Sequence, residues 1–254
     1  MKIILKIISF AFITIFSLNT YGDNFENTVQ KANSAYNQGL YDSAIIMYEE
    51  VIEAEMESSV LYYNLANAYF KNSNIPKSIL YYEKAIKLDP NDEDLLYNLN
   101  VANAMIVDKI EKVPTMFYKN WWNYFYNMFS ANIWTLISIS IWITFLVLFS
   151  IFILSRELVL KKLSFYLAVL FFIGSLASFG LASQKYYYTR ENKEAIIFTP
   201  TITVKSSPTM GSVDLFVVHE GTKVSIIDNV ENWYKIKIQD GSIGWLPAET
   251  MEMI

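Results

Sequence analysis

Tyr62-Tyr63-Asn64-Leu65-Ala66-Asn67-Ala68-Tyr69, followed after a break at Asn72-Ser73-Asn74 by Ser78-Ile79-Leu80-Tyr81-Tyr82-Glu83-Lys84-Ala85-Ile86-Lys87-Leu88-Asp89-Pro90-Asn91, has the form of two short amphipathic helices. Tyr62, Leu65 and Tyr69 fall at i, i+3 and i+7, one stripe of the first helix. Ser78, Tyr82, Ala85 and Ile86 stripe the second, which ends at Asp89 because Pro90 disfavours helix in the residue before it. The unit is not alone. Ala44, Ile45, Tyr48, Glu49 and Ile52 return 34 positions later as Ser78, Ile79, Tyr82, Glu83 and Ile86. Helix pairs repeating at such a period cannot bury their apolar faces singly and stack on one another. Arrays of this kind bind other molecules far more often than they catalyse.

Residues 62–91 resemble the tetratricopeptide consensus at nearly every marked position, with Tyr62 where tryptophan is usual and Ser78 where alanine is. The first unit is looser. Gly39, Tyr41, Ala44 and Tyr48 match, but Met56 replaces the terminating proline and predicts a less sharply ended helix. Tyr97-Asn98-Leu99 and Ala102 begin a third unit that has no second helix. One long helix from about Asp92 to Ile110 is expected to cap the array, giving a repeat domain over residues 23–113. Tyr63, Asn67 and Phe70 lie on a face adjacent to the buried stripe. The resemblance implies that this face lines the concave surface, together with Asn33 and Tyr36 of the first unit and Tyr97 and Val101 of the capping helix. Asparagine amides both donate and accept, which suits the backbone of an extended peptide. None of these positions carries lysine or arginine, so an internal segment is expected there rather than a C-terminal carboxylate. The alternative is that Tyr63 and Phe70 only pack against neighbouring helices.

The chain of 254 residues is 53% hydrophobic, too apolar for an ordinary soluble protein. Lys2 and Lys6 precede an apolar run from Ile7 to Leu18, and small residues follow; residues 1–22 read as a secretory signal peptide cut near Gly22, with an uncleaved anchor as the alternative. Residues 133–154 and 163–184 are predicted transmembrane helices, each with a charge-free core long enough to cross a bilayer. Between them, residues 155–162 carry Arg156, Lys161 and Lys162, expected on the cytoplasmic side. Both soluble regions are then extracytoplasmic, in the periplasm of a protein of the bacterial inner membrane. Trp121, Trp122, Tyr124, Phe125 and Tyr126 mark residues 114–132 as an interfacial aromatic segment. The spans lack ionisable residues, which argues against transport. Gly174, Ser178 and Ala182 form a small-residue stripe that admits another helix, most simply the first span.

Cysteine is absent, so disulfides, thiolate metal sites and an acylated N-terminal cysteine are excluded. Residues 23–112 carry 15 acidic residues against 7 lysines, a net of −8 that disfavours nucleic acid. After the spans the character changes to short β-branched and aromatic segments: 202–205, 215–219, 223–228, 234–238 and 242–246, with Asp240-Gly241 as a hairpin turn. Val204-Lys205-Ser206-Ser207-Pro208, Gly221-Thr222-Lys223-Val224, Trp233 and Asp240-Gly241-Ser242-Ile243-Gly244-Trp245-Leu246 together resemble the bacterial SH3 domain over residues 195–254. Thr203 and Lys205 depart from the asparagine and arginine that commonly flank the valine. Such small all-β barrels usually recognise peptides or cell-wall material. Lys205, Trp233 and Trp245 are the candidate ligand face, the alternative for the tryptophans being the barrel's own core.

The fold class is therefore a multidomain membrane protein: α-helical tetratricopeptide repeats, two transmembrane helices and a C-terminal SH3-like barrel. That order, with the Trp121-Trp122 pair, resembles the BatE family, named for Bacteroides aerotolerance. The resemblance implies partners among Bat-type membrane proteins with von Willebrand A domains and a MoxR-type ATPase, in an envelope complex linked to oxidative stress tolerance. No enzyme is expected and no cofactor. His219, the single histidine, ends a predicted strand without a cysteine or acidic pair at metal spacing. A scaffold that binds proteins through its repeats is the first reading; a tether or sensor binding peptidoglycan or peptides through the barrel is the second.

Overall fold

A computed structural model of the chain describes residues 23–54, 56–110, 116–191 and 193–254. The expected signal peptide lies outside the described residues, as does the end of the repeat region beyond residue 110.

Four helices form two antiparallel pairs: α1 (Asp23–Asn37) with α2 (Tyr41–Glu53), and α3 (Ser59–Lys71) with α4 (Ile75–Leu88). Their ends follow from side-chain chemistry. Ser58, Asn74 and Asp92 each accept a hydrogen bond from the main-chain N–H three residues on, satisfying donors that a helix N-terminus leaves free. Between α1 and α2 the chain turns through Gly39 at φ +77°, a conformation glycine adopts without steric cost. The absent proline does not prolong α2, which stops at Glu53 with Ala54 as its cap; the next helix start is fixed by Ser58.

The expected stripe is buried: Tyr62, Leu65 and Tyr69 pack inward, and Tyr69 stacks on Tyr81 at 5.6 Å between ring centres. The capping helix is shorter than expected. α5 runs only from Glu93 to Asn103, and residues 104–110 leave it as irregular chain. Two contacts explain this. Lys109 folds back to donate to the carbonyls of Asn103 and Ala104 (3.3 and 2.7 Å), and Ile106 is drawn off the helix axis into an apolar seat beside Gly221.

The C-terminal region is an antiparallel sheet of seven strands, β1 (Glu194–Ile197), β2 (Thr201–Lys205), β3 (Asp214–His219), β4 (Lys223–Val230), β5 (Trp233–Lys237), β6 (Ile243–Pro247) and β7 (Met251–Met253), in the order β3-β2-β6-β5-β4-β1-β7. Five strands fall where expected and the first and last are additions. β1 joins barrel and repeats. Alternate residues of a strand face opposite ways. Ala195 and Ile197 enter the barrel core, whereas Ile196 enters the apolar core of the repeats, with Phe198 and Ile254 against it. The barrel thus sits on α4, which is buried on nearly every side, from Ser78 through Glu83.

α6 (Phe117–Asn127) precedes two helices long and apolar enough to cross a membrane, α7 (Ala131–Leu154) and α8 (Leu158–Glu191). α8 starts before the expected span, so Lys161 and Lys162 lie on its first turns and residues 155–157 alone make the connection. The Lys185 ammonium donates to the carbonyls of Tyr126 and Phe129 (3.3 and 2.8 Å), tying the end of α6 to α8. The Asn91 amide donates to the Met128 carbonyl (3.0 Å), tying the repeats to the same corner.

Ser178 and Ala182 are buried, and a Cβ on Gly174 would meet Ile141 of α7 at 3.9 Å, so the small-residue stripe serves the hairpin itself. Ser138 of α7 donates to the Ser175 carbonyl in the same seam (3.3 Å). Replacing Ser178 with leucine is expected to force the two helices apart and cost about 1–3 kcal/mol of packing. A lowered melting temperature in detergent is the readout; an unchanged one places Ser178 at a lipid-facing surface.

Candidate functional site

Five of the seven predicted groove residues converge. Tyr36, Tyr63, Asn67, Phe70 and Val101 line a depression of about 270 Å³, with Lys71, Tyr82 and Asn98. Tyr97 points out to solvent, 68% exposed, and Asn33 sits behind the depression. Lys71 corrects the expectation of a floor without cations: one position past Phe70, it lines the depression and brings an ammonium to it.

The asparagines form a hydrogen-bond ladder across the repeats. The Asn33 carbonyl oxygen accepts from the Tyr48 hydroxyl and from the Asn64 amide (3.3 Å). Thirty-four residues on, Asn67 accepts from the Tyr82 hydroxyl and, at 3.5 Å, from Asn98, which also donates to the Tyr63 hydroxyl at 2.8 Å. Each asparagine of a first helix therefore binds the tyrosine of its own second helix and the asparagine of the next repeat. Val101 stands where a third such asparagine would be, and the ladder ends there. Burial pushes the Tyr48 phenol up to about 12, with the neighbouring Tyr36 adding to it, so the hydroxyl stays a donor throughout the physiological range. Asn64 and Asn98 were absent from the expected site. Their signal is the repeated Tyr-Asn-Leu triplet at 63–65 and 97–99.

On the barrel, Lys205 lies opposite Trp245, Trp245 opposite Lys235, and Trp233 opposite Pro247. Residues paired across a sheet share a face, so Lys205, Trp233 and Trp245 do come together. The opposite face carries Val204, Ile236 and Leu246, the barrel core. Neither tryptophan packs in that cluster, but Trp245 is buried at 9% exposure and Trp233 is half-buried. The Lys235 ammonium lies 5.8 Å from the Trp245 ring centre, and Lys205 is held by Asp214. This row is a second candidate face, aromatic between lysine stems.

The repeat–barrel junction is held by polar chemistry that local spacing did not reveal. Asp108, in the segment after α5, accepts from the His219 main-chain N–H and the Thr222 hydroxyl at 2.7 Å each, and its other oxygen lies 2.7 Å from His219 Nδ1. Burial alone would push the Asp108 carboxyl up; the bonds from Thr222 and His219 outweigh it and hold the group below its ordinary 3.8. Because the Thr222 hydroxyl donates to the carboxylate and not to the imidazole, these three residues do not form a nucleophile–base relay. Lys223 donates to Glu83 of α4 at 2.8 Å and lies 2.9 Å from Glu194 of β1. Burial pulls the Lys223 ammonium down, but the two carboxylates more than offset this and raise it above its ordinary value. The Lys87 ammonium donates to the Ile254 main-chain oxygen at 2.8 Å.

These shifts fix the pH range of docking. A depressed carboxyl stabilises above its unfolded pKa and loses that contribution as pH falls through the folded value; a raised ammonium stabilises below its unfolded pKa and loses it as pH climbs through the folded one. Docking is therefore expected to weaken in acid below pH 3.8 through Asp108, and in alkali above 10.5 through Lys223. Interdomain nuclear Overhauser contacts between Ile196 and Ile79, followed across pH, check this; loss of those contacts near neutrality contradicts it.

Two family models match parts of the chain: the tetratricopeptide repeat over residues 59–92 and the bacterial SH3 domain over residues 200–252. Among curated proteins, the chain is similar to human (Homo sapiens) Tetratricopeptide repeat protein 12, at 34% identity over 77 residues, which is 30% of this chain and 11% of the human protein. The chain thus spans a small fraction of that relative's length. The repeats are of a kind that serves protein–protein interaction, and the barrel of a kind associated with cell-wall binding.

Proposed function

We propose that this chain is a non-catalytic scaffold of the bacterial cell envelope, anchored in the inner membrane by α7 and α8, that captures an extended segment of a partner protein in the groove between α3 and α5. The observation that carries the reading is the placement of the barrel. It covers the outer side of α4 through Ile196 and leaves the Tyr63, Phe70 and Lys71 depression open. The groove offers aromatic rings for apolar side chains, amide nitrogens for backbone carbonyls and one ammonium for a carboxylate. A photo-reactive amino acid in place of Phe70, activated in intact cells, is expected to capture a partner, and the same probe at exposed Ile46 to capture none; equal capture at both moves the site off the groove.

The domain order supports a place in a Bat/MoxR-type complex linked to aerotolerance, with von Willebrand A domain membrane proteins as the partners. Exposed Phe117, Trp121 and Tyr124 on α6 suit a helix lying in the headgroup region, where ring edges reach water. In that arrangement both folded regions are periplasmic and the connection at residues 155–157 is cytoplasmic. Protease added to spheroplasts is expected to attack both the repeats and the barrel; protection of either one contradicts this topology.

A second reading rests on Lys205, Trp233 and Trp245, which share one barrel face, Lys205 and Trp233 half-buried and Trp245 buried between the lysine stems; the partly open Trp233 suits a tether to peptidoglycan. Retention of the detergent-solubilised full chain on peptidoglycan sacculi, lost on Trp233→Ala, distinguishes this role from the first.

A further inference from the structure

Where the barrel rests on the repeats, the two do not close completely. A cleft of about 850 Å³ remains, walled by α5 and the 104–110 segment on one side and by β1, β4 and β5 on the other. That volume lies within the range of sites for small ligands and short peptides. α5 divides it from the groove: Asn98 and Val101 face the groove, whereas Leu96, Leu99, Asn100 and Asn103 face the cleft.

The charges of the cleft are not balanced alike. Its three acids are already occupied, Glu83 and Glu194 by Lys223, and Asp108 by His219 and Thr222. Of its cations, Lys223 is held by two of those acids, but Lys109 and Lys237 are not so paired. Among the described residues, Lys109 is bonded to the neutral carbonyls of Asn103 and Ala104 and to no carboxylate, and Lys237 has no carboxylate partner. Two ammonium groups without carboxylate partners among the described residues line a cavity whose neutral polar groups are the amides of Asn100, Asn103 and Gln239 and the hydroxyls of Thr222 and Ser225. Such a lining calls for a singly charged anion attached to a backbone that can both donate and accept. A phosphate dianion fits poorly, because no arginine is present and Glu83 and Glu194 lie in the wall. Sugar rings lack the aromatic platform they stack on, since no aromatic residue among the described residues lines the cleft.

We propose that the cleft between repeats and barrel is a second binding site, for the C-terminal carboxylate of a short peptide, with Lys109 and Lys237 meeting the carboxylate and the asparagine amides meeting the last peptide bonds. Because its walls come from both regions, the site exists only while the barrel is docked. It shares none of the residues that line the groove, so partner capture there stands or falls separately.

The test uses the full chain in nanodiscs with isotope-labelled isoleucine methyls. Ile106, Ile110 and Ile238 line the cleft, while Ile46 and Ile139 are remote and exposed. A hexapeptide pool randomised at its last four residues, with free carboxylates, is expected to shift the three cleft methyls. The same pool amidated at its C-terminus should need at least tenfold higher concentration. Lys237→Gln alters an exposed side chain that the fold does not use and should raise the half-saturating concentration about tenfold; Asn103→Ala provides a second variant. Unmoved cleft methyls, equal shifts from the amidated pool, or stronger shifts from inorganic phosphate would each overturn the proposal.

Discussion

Replacing Lys223 with methionine is expected to release the barrel from the repeats. Methionine keeps most of the stem's volume, so the change removes chiefly the charge. Glu83 and Glu194 would then face each other with no cation between them, in a site where Glu83 is 9% exposed. Breaking one partner out of a buried ion pair costs about 3–5 kcal/mol, because the remaining charge is left uncompensated. That is a large fraction of the stability of an ordinary domain. The prediction is a faster amide exchange along β1 and α4 and the separation of one thermal transition into two. Adding Glu83→Gln to the same chain should restore part of the loss by removing one stranded charge. Unchanged exchange and a single unshifted transition would show that the apolar seat of Ile196 holds the barrel unaided.

The double change Asn67→Ala and Phe70→Ala is expected to abolish partner capture while the repeats remain helical by circular dichroism. The two residues contribute differently. Phe70 is half-buried in the depression and supplies apolar contact alone, whereas Asn67 also receives the Tyr82 hydroxyl and the Asn98 amide. Removing Asn67 strands those donors, each at a cost of about 1 kcal/mol or more. Phe70→Ala alone should therefore weaken capture without a large fall in melting temperature, and Asn67→Ala should lower both. Wild-type affinity in the double variant would move the partner site from the groove to the barrel.

The repeat fold was legible because one physical constraint, the burial of a stripe on each helix, recurs at a fixed period. Residue types at 44, 45, 48, 49 and 52 predict those at 78, 79, 82, 83 and 86 without any knowledge of tertiary contacts. The same period relates Tyr36 to Phe70 in the depression and Asn33 to Asn67 in the hydrogen-bond ladder; it also relates Asn64 to Asn98, which the reading of the stripe did not single out. Hydrogen-bond direction was not legible: nothing in residue spacing says that Asn67 accepts from Tyr82. Docking left two local traces. Ala195-Ile196-Ile197-Phe198 is a continuous apolar run, the pattern of a strand covered on both faces. Ile79-Leu80-Tyr81-Tyr82 is a helix apolar all round, which a repeat with one free face does not require. What joins them was hidden, because Asp108 and His219 are 111 residues apart and no local period relates them. The early end of α5 has the same origin: helical patterning alone would carry it to Ile110, and Ile106 leaves the helix only because the barrel offers it a seat.

The central claim is that repeats and barrel act as one docked receptor, with the groove open and the barrel fixed on α4. Lys84 and Glu252, 4.0 Å apart across the junction, provide the direct test, since the native chain has no cysteine to interfere. Lys84→Cys and Glu252→Cys in one chain, treated in native membranes with a short bis-maleimide, should form an intramolecular crosslink in nearly every molecule, and the yield should fall sharply when Lys223→Met is added. A low yield with Lys223 present, no greater than for Lys84→Cys paired with a cysteine on the far edge of the barrel at Leu215, would contradict the account.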